Sequence, residues 1–312
     1  MEGVCLAGKG IRRLILLLLV ATVVHADGEL VKQVVAALNR GDFRMAEFEL
    51  GVARGENGVT PEWLEASSWY ARALLLSNQF GPAEARAEEI LSLVPAGGRR
   101  AGPDEKQLDT AVGAAIEVKG QALAKSGERD AAIRFFRAEL AQWRNASFIP
   151  RIQKNLLLLT LVGQPAPALV ETAFVGPKPA PLADLRGKVV LMFFWAHWCL
   201  DCRAEVPIIA AIHSEFVLKG LVLCGPTRYY GYTATSDHVT PSEEIKYIAQ
   251  VRRAFYEPVE DVPMPVSNEN FVAYGASTTP TIVLLDRKGI VRLYHPGAMT
   301  EDELRRAIKS LL

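Results

Sequence analysis

The sequence predicts an all-α domain of helical hairpins over residues 27–161 and an α/β domain over residues 162–312, with a processing segment at 1–26 ahead of both. Three observations lead there. Apolar residues of the first half recur at helical spacing, as at Val31, Val34, Val35 and Leu38 and again at Ile133, Phe136, Leu140 and Trp143, without period-2 alternation. Beyond Gly163-Gln164-Pro165-Ala166-Pro167 the pattern changes to short apolar runs separated by helical stretches, in the order β, α, β, α, β-hairpin, α. Within that second half the apolar run 189–195 leads directly towards Cys199-Leu200-Asp201-Cys202, and a helical pattern follows from Arg203.

Lys9, Arg12 and Arg13 stand before an apolar run at 14–24, and Val24-His25-Ala26 offers the small and medium residues that a signal peptidase reads. A membrane anchor needs roughly 20 apolar residues, more than this run has. The expectation is a signal peptide removed after Ala26, a secreted or periplasmic protein, and no stable membrane span afterwards. Half of the 312 residues are hydrophobic, enough for sizeable cores. A formal net charge of zero leaves no footprint for nucleic acid or an anionic membrane surface. The four cysteines, Cys5, Cys199, Cys202 and Cys224, are too few for a disulfide-stapled scaffold. Cys5 would leave with the signal, and export would place the other three where disulfides persist.

The helical half carries a weak internal repeat. Gly41-Asp42-Phe43-x-x-Ala46, Asn78-Gln79-Phe80-x-x-Ala83 and Gly127-Glu128-Arg129-x-x-Ala132 each read as a turn followed by a small residue where a second helix crosses the first. Twelve residues before the three alanines stand Val34, Ala71 and Gly120. The pattern resembles the tetratricopeptide repeat. The tryptophan and tyrosine of that consensus are missing, and the loop 95–103, rich in proline and glycine, lengthens the spacing. The resemblance implies stacked hairpins with a concave surface for a peptide or protein partner, which the residues do not identify. The leucine runs 74–76 and 156–159 read as core.

In the second half, prolines at 165, 167, 177, 179 and 181 keep the connection extended, and Leu182-x-x-Leu185-Arg186-Gly187-Lys188 leads into the first strand. The helix after the cysteine pair contains Pro207, expected to kink it. Residues 221–224 suit a second short strand. Thr240-Pro241-Ser242-Glu243 is a capping box with proline at the first helical position; its helix carries Ile248, Val251 and Phe255 on one side. Residues 263–266 suit a short strand, and 281–285 with 290–294 a hairpin around Asp286-Arg287-Lys288-Gly289. Leu304, Ala307, Ile308 and Leu311 mark a closing amphipathic helix.

Two cysteines with this spacing at the start of a helix can close a small disulfide. The first also sits where unpaired N–H groups and the helix dipole favour a thiolate. Cys199 is therefore the candidate attacking thiol, expected to reach solvent beside Trp198. Cys202, one turn further in, is the candidate resolving thiol.

Residues 164–312 resemble the TlpA/ResA-type redoxin branch of the thioredoxin superfamily. The resemblance rests on Leu185-Arg186-Gly187-Lys188, Trp195, Trp198-Cys199-x-x-Cys202, Glu205-x-Pro207 and Thr279-Pro280. It implies a thioredoxin-like fold and thiol-disulfide oxidoreductase activity on protein thiols and disulfides, with no cofactor beyond the redox-active Cys199–Cys202 disulfide. It also implies that Pro280 is a cis-proline facing the disulfide, so that Trp198, Thr279 and Pro280 meet the substrate. Glu205, below the disulfide, would serve proton transfer, because the buried acid that thioredoxin places six residues before its first cysteine is Phe193 here. Two departures stand out. Leu200-Asp201 lacks the usual proline, and Asp201 brings a carboxylate whose repulsion opposes the helix dipole at Cys199. The long stretch 228–240, with Tyr229, Tyr230, Tyr232 and His238, is either a rim of the site or simply a longer loop.

The alternatives come from other classes. A copper-binding redoxin or metallochaperone would draw on His197, His213, His238 or His295, no pair of which has ligand spacing. A structural zinc site wants four ligands, usually two Cys pairs, and only one pair is present. A peroxidase would need a hydroxyl residue where Ala196 stands. The remaining class is a non-catalytic protein-binding scaffold. Cys224 reads as a buried small hydrophobe. Reduction of exported protein disulfides is what the resemblance favours; direction, electron donor and substrate are not written in the residues.

Overall fold

The computed structural model describes residues 28–94 and 105–312; the signal-peptide reading at 1–26 and the loop at 95–103 lie outside them. The chain divides into two compact units between Ala132 and Ile133.

The first unit contains α1 (Glu29–Asn39), α2 (Phe43–Asn57), α3 (Pro61–Leu76), α4 (Phe80–Leu93), α5 (Glu105–Lys125) and the start of α6 (Arg129–Gln142). The three turns expected from the repeat share one geometry. Gly41, Asn78 and Gly127 all have positive φ, at 74°, 58° and 94°. In each turn two successive N–H groups return to the preceding helix: Gly41 to Leu38 and Asp42 to Ala37, Asn78 to Leu75 and Gln79 to Leu74, Gly127 to Ala124 and Glu128 to Leu123. Asn78 shows that asparagine can fill this left-handed position in place of glycine. Ala46, Ala83 and Ala132 are fully buried, as are Val34 and Ala71 on the preceding helices. Small side chains at these points let the helix axes approach. Of the leucines read as core, Leu74, Leu75 and Leu156 are buried, whereas Leu76 and Leu158 are exposed. Consecutive helical residues point about 100° apart, so a run cannot be buried throughout at one face.

The second unit adds α7 (Ile149–Thr160), β1 (Phe174–Val175), β2 (Val189–Phe194), α8 (Leu200–Phe216), β3 (Leu221–Cys224), α9 (Pro241–Phe255), β4 (Met264–Pro265), α10 (Asn268–Ala273), β5 (Thr281–Leu285), β6 (Val291–Pro296) and α11 (Glu301–Lys309). Four strands form a mixed sheet in the order β3-β2-β5-β6, in which only the β2/β3 pair is parallel. β1 and β4 form a separate antiparallel pair. Every residue of β2 is buried, because helices cover both faces of the strand. Val189, Leu191 and Phe193 share a core with Val206, Ile209 and Ile212 of α8, Ile248 and Val251 of α9, and Leu304 and Ile308 of α11. Val190, Met192 and Phe194 share another with Phe271 and Tyr274, near α10, and with Leu161 and Leu169. α8 continues through Pro207, which sits on its exposed side.

The stretch rich in proline, near which the sequence places a boundary at 161/162, is bonded to the strands that follow it. Gly163 donates to Val291 and Ala166 to Gly289, while Gln164 accepts from Val291. Leu157 and Leu161 pack into the second core, and α7 contacts α10. Gly275 makes this close approach possible. Its φ is +54°, and a Cβ there would lie 2.8 Å from the Lys154 backbone nitrogen. We predict that Gly275→Ala lowers unfolding stability by about 2 kcal/mol. Gly51→Ala, whose Cβ meets nothing within 4 Å, should instead be neutral or stabilising by about 0.5–1 kcal/mol. Urea denaturation of the two variants checks both.

Candidate active site

The site is built where β2 runs out. Trp195 is buried, and its indole N–H donates to the Gly225 carbonyl at 2.9 Å. Its backbone N–H donates to Pro226, and its carbonyl accepts the Thr227 hydroxyl at 2.9 Å. These bonds fix the start of the loop Ala196-His197-Trp198. Arg203 fixes the middle, its guanidinium donating to the His197 carbonyl at 2.6 Å.

Cys199 is the N-cap of α8 and is joined to Cys202, with S–S 2.10 Å and Cα–Cα 5.3 Å. The Cys202 N–H donates to Cys199 Sγ at 3.0 Å. The expectation that Cys199 reaches solvent is not met. It is 2% exposed, hardly more than Cys202 at 0%. Exposure at this place belongs to its neighbours, Trp198 at 47% and Leu200 at 73%. What separates the two sulfurs is position on the helix: Cys199 caps it and receives an N–H, while Cys202 lies within the first turn.

Glu205 stands one turn beyond Cys202 and is 3% exposed. Its Oε1 accepts the Met299 N–H at 2.9 Å, and its Oε2 is buried with no hydrogen-bond partner. Burial pushes its carboxyl up to about 7, the Met299 N–H opposes this, and the exposed Asp201 adds to it. Phe193 is buried in the same core. The Thr279–Pro280 bond is cis. Thr281 pairs with Phe194, so the sheet register puts Pro280 at the strand end from which the Cys199 loop departs. The Thr279 hydroxyl is buried without a partner.

Sequence reasoning missed a second cluster beside this loop. His197 and Glu244, of α9, are both 1% exposed. Glu244 Oε1 lies 3.2 Å from His197 Nε2 and accepts the Tyr230 N–H at 2.6 Å, while Oε2 accepts the Gly231 N–H at 2.8 Å. Tyr230, Tyr232 and Tyr247 each meet the His197 ring edge-on at 5.2 Å. Tyr230 also meets Trp198 at 5.5 Å. Burial lowers the His197 pKa, and the Glu244 carboxylate works against that. Glu244 lies 47 residues from His197, a separation with no local pattern to reveal it. The only hint was the length of the stretch 228–240.

Among the described residues the other histidines lie apart: His213 faces Asp261, His295 faces the Ala298 carbonyl, and His238 is exposed. Among the described residues no three His, Cys, Asp or Glu side chains are grouped to hold a metal ion. No helix among them is long and apolar enough to cross a membrane. Cys224 is buried in the second core, which pushes its thiol up to about 12.

Residues 161–311 match the protein family described as Redoxin. The thioredoxin-like protein YneN of Bacillus subtilis (strain 168) is 30% identical over 148 residues, 47% of this chain and 78% of that protein. The thiol:disulfide interchange protein DsbE of Pseudomonas fluorescens biotype C is 29% identical over 156 residues, 49% of this chain and 78% of its own. The thiol-disulfide oxidoreductase ResA of Geobacillus thermodenitrificans (strain NG80-2) is 26% identical over 150 residues, 48% and 78% respectively. The crystal structure of a thiol:disulfide interchange protein from Chlorobium tepidum TLS aligns with a TM-score of 0.39 at 20% identity, covering 48% of this chain and 96% of that one.

Proposed function

The chain belongs to the redoxin family through residues 161–311, and on that premise we propose that it is an extracytoplasmic thiol-disulfide oxidoreductase that reduces protein disulfides. The observation that carries this reading is the Cys199–Cys202 disulfide at the N-terminus of α8, with an N–H already directed at Cys199 Sγ. The names of the relatives, thiol:disulfide interchange protein and thiol-disulfide oxidoreductase, support the same chemistry. Export rests on the cations and apolar run ahead of Ala26.

In the reduced protein the Cys199 thiolate attacks one sulfur of a substrate disulfide. A Cys199–substrate bond forms, the substrate S–S bond breaks, and the departing thiolate takes a proton. The Cys202 thiol then loses its proton to Glu205 and attacks Cys199 Sγ, closing the Cys199–Cys202 bond and releasing the second substrate thiol. The substrate gains two electrons from the protein pair and two protons, one passed on from Glu205 and one from the water that took up the Cys199 proton when the thiolate formed. An external dithiol resets the pair, and no other cofactor takes part. Trp198, Thr279 and Pro280 border the substrate strand. The helical hairpins of the first half supply a surface for a protein partner and take no part in the sulfur chemistry.

Insulin reduction in dithiothreitol tests this reading. The wild-type protein should accelerate the reaction, and Cys199→Ser should lose that acceleration by about a hundredfold or more. Equal rates for the two would end it.

A further inference from the structure

The contacts of His197 and Glu244 place a third group of residues at the active site, one that the sulfur chemistry does not use. Glu244 is a carboxylate withdrawn from water, and a buried charge persists only where donors meet it. Two of its donors, the N–H groups of Tyr230 and Gly231, belong to the stretch 228–240, and the third is His197, two residues before Cys199. One side chain of α9 thus ties a surface segment to the loop that presents the disulfide. The segment is fastened at its near end too, where Thr227 binds the Trp195 carbonyl. Arg228 lies over the Tyr230 ring at 4.6 Å, and the same ring meets three aromatic neighbours edge-on: Trp198, His197 and Tyr232.

The outward face of this arrangement is apolar. Trp198 and Leu200 flank Cys199 and stand far more exposed than the sulfur between them. A chain that delivers a disulfide to Cys199 therefore touches these side chains first. Exposed apolar groups around a buried reactive atom suit a substrate that covers them on binding.

We propose that Glu244 and His197 are positioning residues that hold Tyr230 behind Trp198, and that the resulting aromatic wall selects protein disulfides whose target cysteine has an apolar side chain beside it. This rests on the thiol-disulfide reading above and adds the substrate class. The loop carrying Cys199 keeps its Arg203 and Trp195 anchors when Glu244 changes, so the wall and the sulfur chemistry are separable.

Two disulfide-linked peptides test it with the full chain, one with leucine and one with serine on each side of the cysteine. The wild type should show a KM roughly tenfold lower for the leucine peptide. In Glu244→Gln an amide N–H₂ replaces one acceptor of the two backbone N–H groups, and the wall loosens. Its KM for the leucine peptide should rise roughly tenfold while kcat stays within about twofold, bringing the two peptides together. Tyr230→Ala, which leaves the backbone donor of residue 230 in place, should give the same convergence. A fall in kcat for both peptides with the preference intact would make Glu244 merely structural and overturn the proposal. So would a wild type without preference, or variants that keep the wild-type KM values. A wild type that turns over neither peptide would instead sink the oxidoreductase reading itself.

Discussion

Cys202→Ser should accumulate a covalent complex with its protein substrate through Cys199, cleaved by dithiothreitol, while Cys199→Ser should accumulate almost none. Solvent exposure does not dictate this order, since both sulfurs are covered. The helix does. Cys199 is the cap of α8, and the N–H of residue 202 points at its sulfur. A thiolate there gains a hydrogen bond and the favourable end of the helix dipole, neither of which is offered to Cys202 within the turn. Cys202 is enclosed within the first turn and has only Cys199 to attack. Without the second thiol the mixed disulfide cannot resolve, so the yield should change from traces to a large share of the protein. Electrophoresis under non-reducing conditions, followed by mass spectrometry of the linked peptide, gives the answer. Cys224→Ser should behave as the wild type, because its thiol is buried and protonated. A complex through Cys202 or Cys224 would overturn the assignment.

Glu205→Gln should stabilise the protein, and more so as the pH rises. The carboxyl of Glu205 is held near 7 in the folded protein against 4.5 for the free group. Between those values the native state binds a proton that the unfolded chain has already released, so unfolding stability falls with increasing pH. Stability is intact below about 4.5 and diminished once pH passes 7. At 1.36 kcal/mol per pH unit the wild type gives up roughly 3 kcal/mol over that range. Glutamine keeps an oxygen for the Met299 N–H and has no charge to bury. The melting temperatures of the two proteins should therefore nearly coincide at pH 4.5 and separate by several degrees at pH 8. Parallel curves would mean that the carboxyl titrates normally. The same variant should flatten the pH dependence of Cys202 alkylation, if Glu205 exchanges protons with that thiol.

Much of the fold was legible because its signals are local. The turn motifs at Gly41, Asn78 and Gly127, the capping box at Thr240, the strand at 221–224 and the hairpin around Asp286-Arg287-Lys288-Gly289 all lie within a few residues of sequence. The capping box at Thr300, with Glu303, was equally local and went unread. Other features were not local. A proline-rich stretch looks like a linker until its N–H groups are seen bonding to Val291 and Gly289. The exposure of Cys199 depends on what covers it. Glu244 reads as an ordinary early helical glutamate, and only the path of residues 228–240 turns it into the centre of a buried cluster. Cys199, Cys202, Glu205 and Pro280 stood out through a known pattern; His197 with Glu244 belongs to no such pattern and needed three dimensions.

One detail of strand pairing limits the number of forms this protein can take. Cys224 sits opposite Met192 and shares its side of the sheet, whereas Cys199 and Cys202 belong with Leu191 and Phe193 on the other. The three cysteines among the described residues can in principle join in three ways, and a partner thiol within reach would let the bridge wander during turnover. Here a layer of backbone divides them, and shifting β3 by a single residue would be enough to move the thiol across. Titrated against a dithiol buffer, the folded protein should accordingly follow one two-electron curve, with about 30 mV for each tenfold change in the ratio of its forms. Parity along a four-residue strand thus keeps the switch binary.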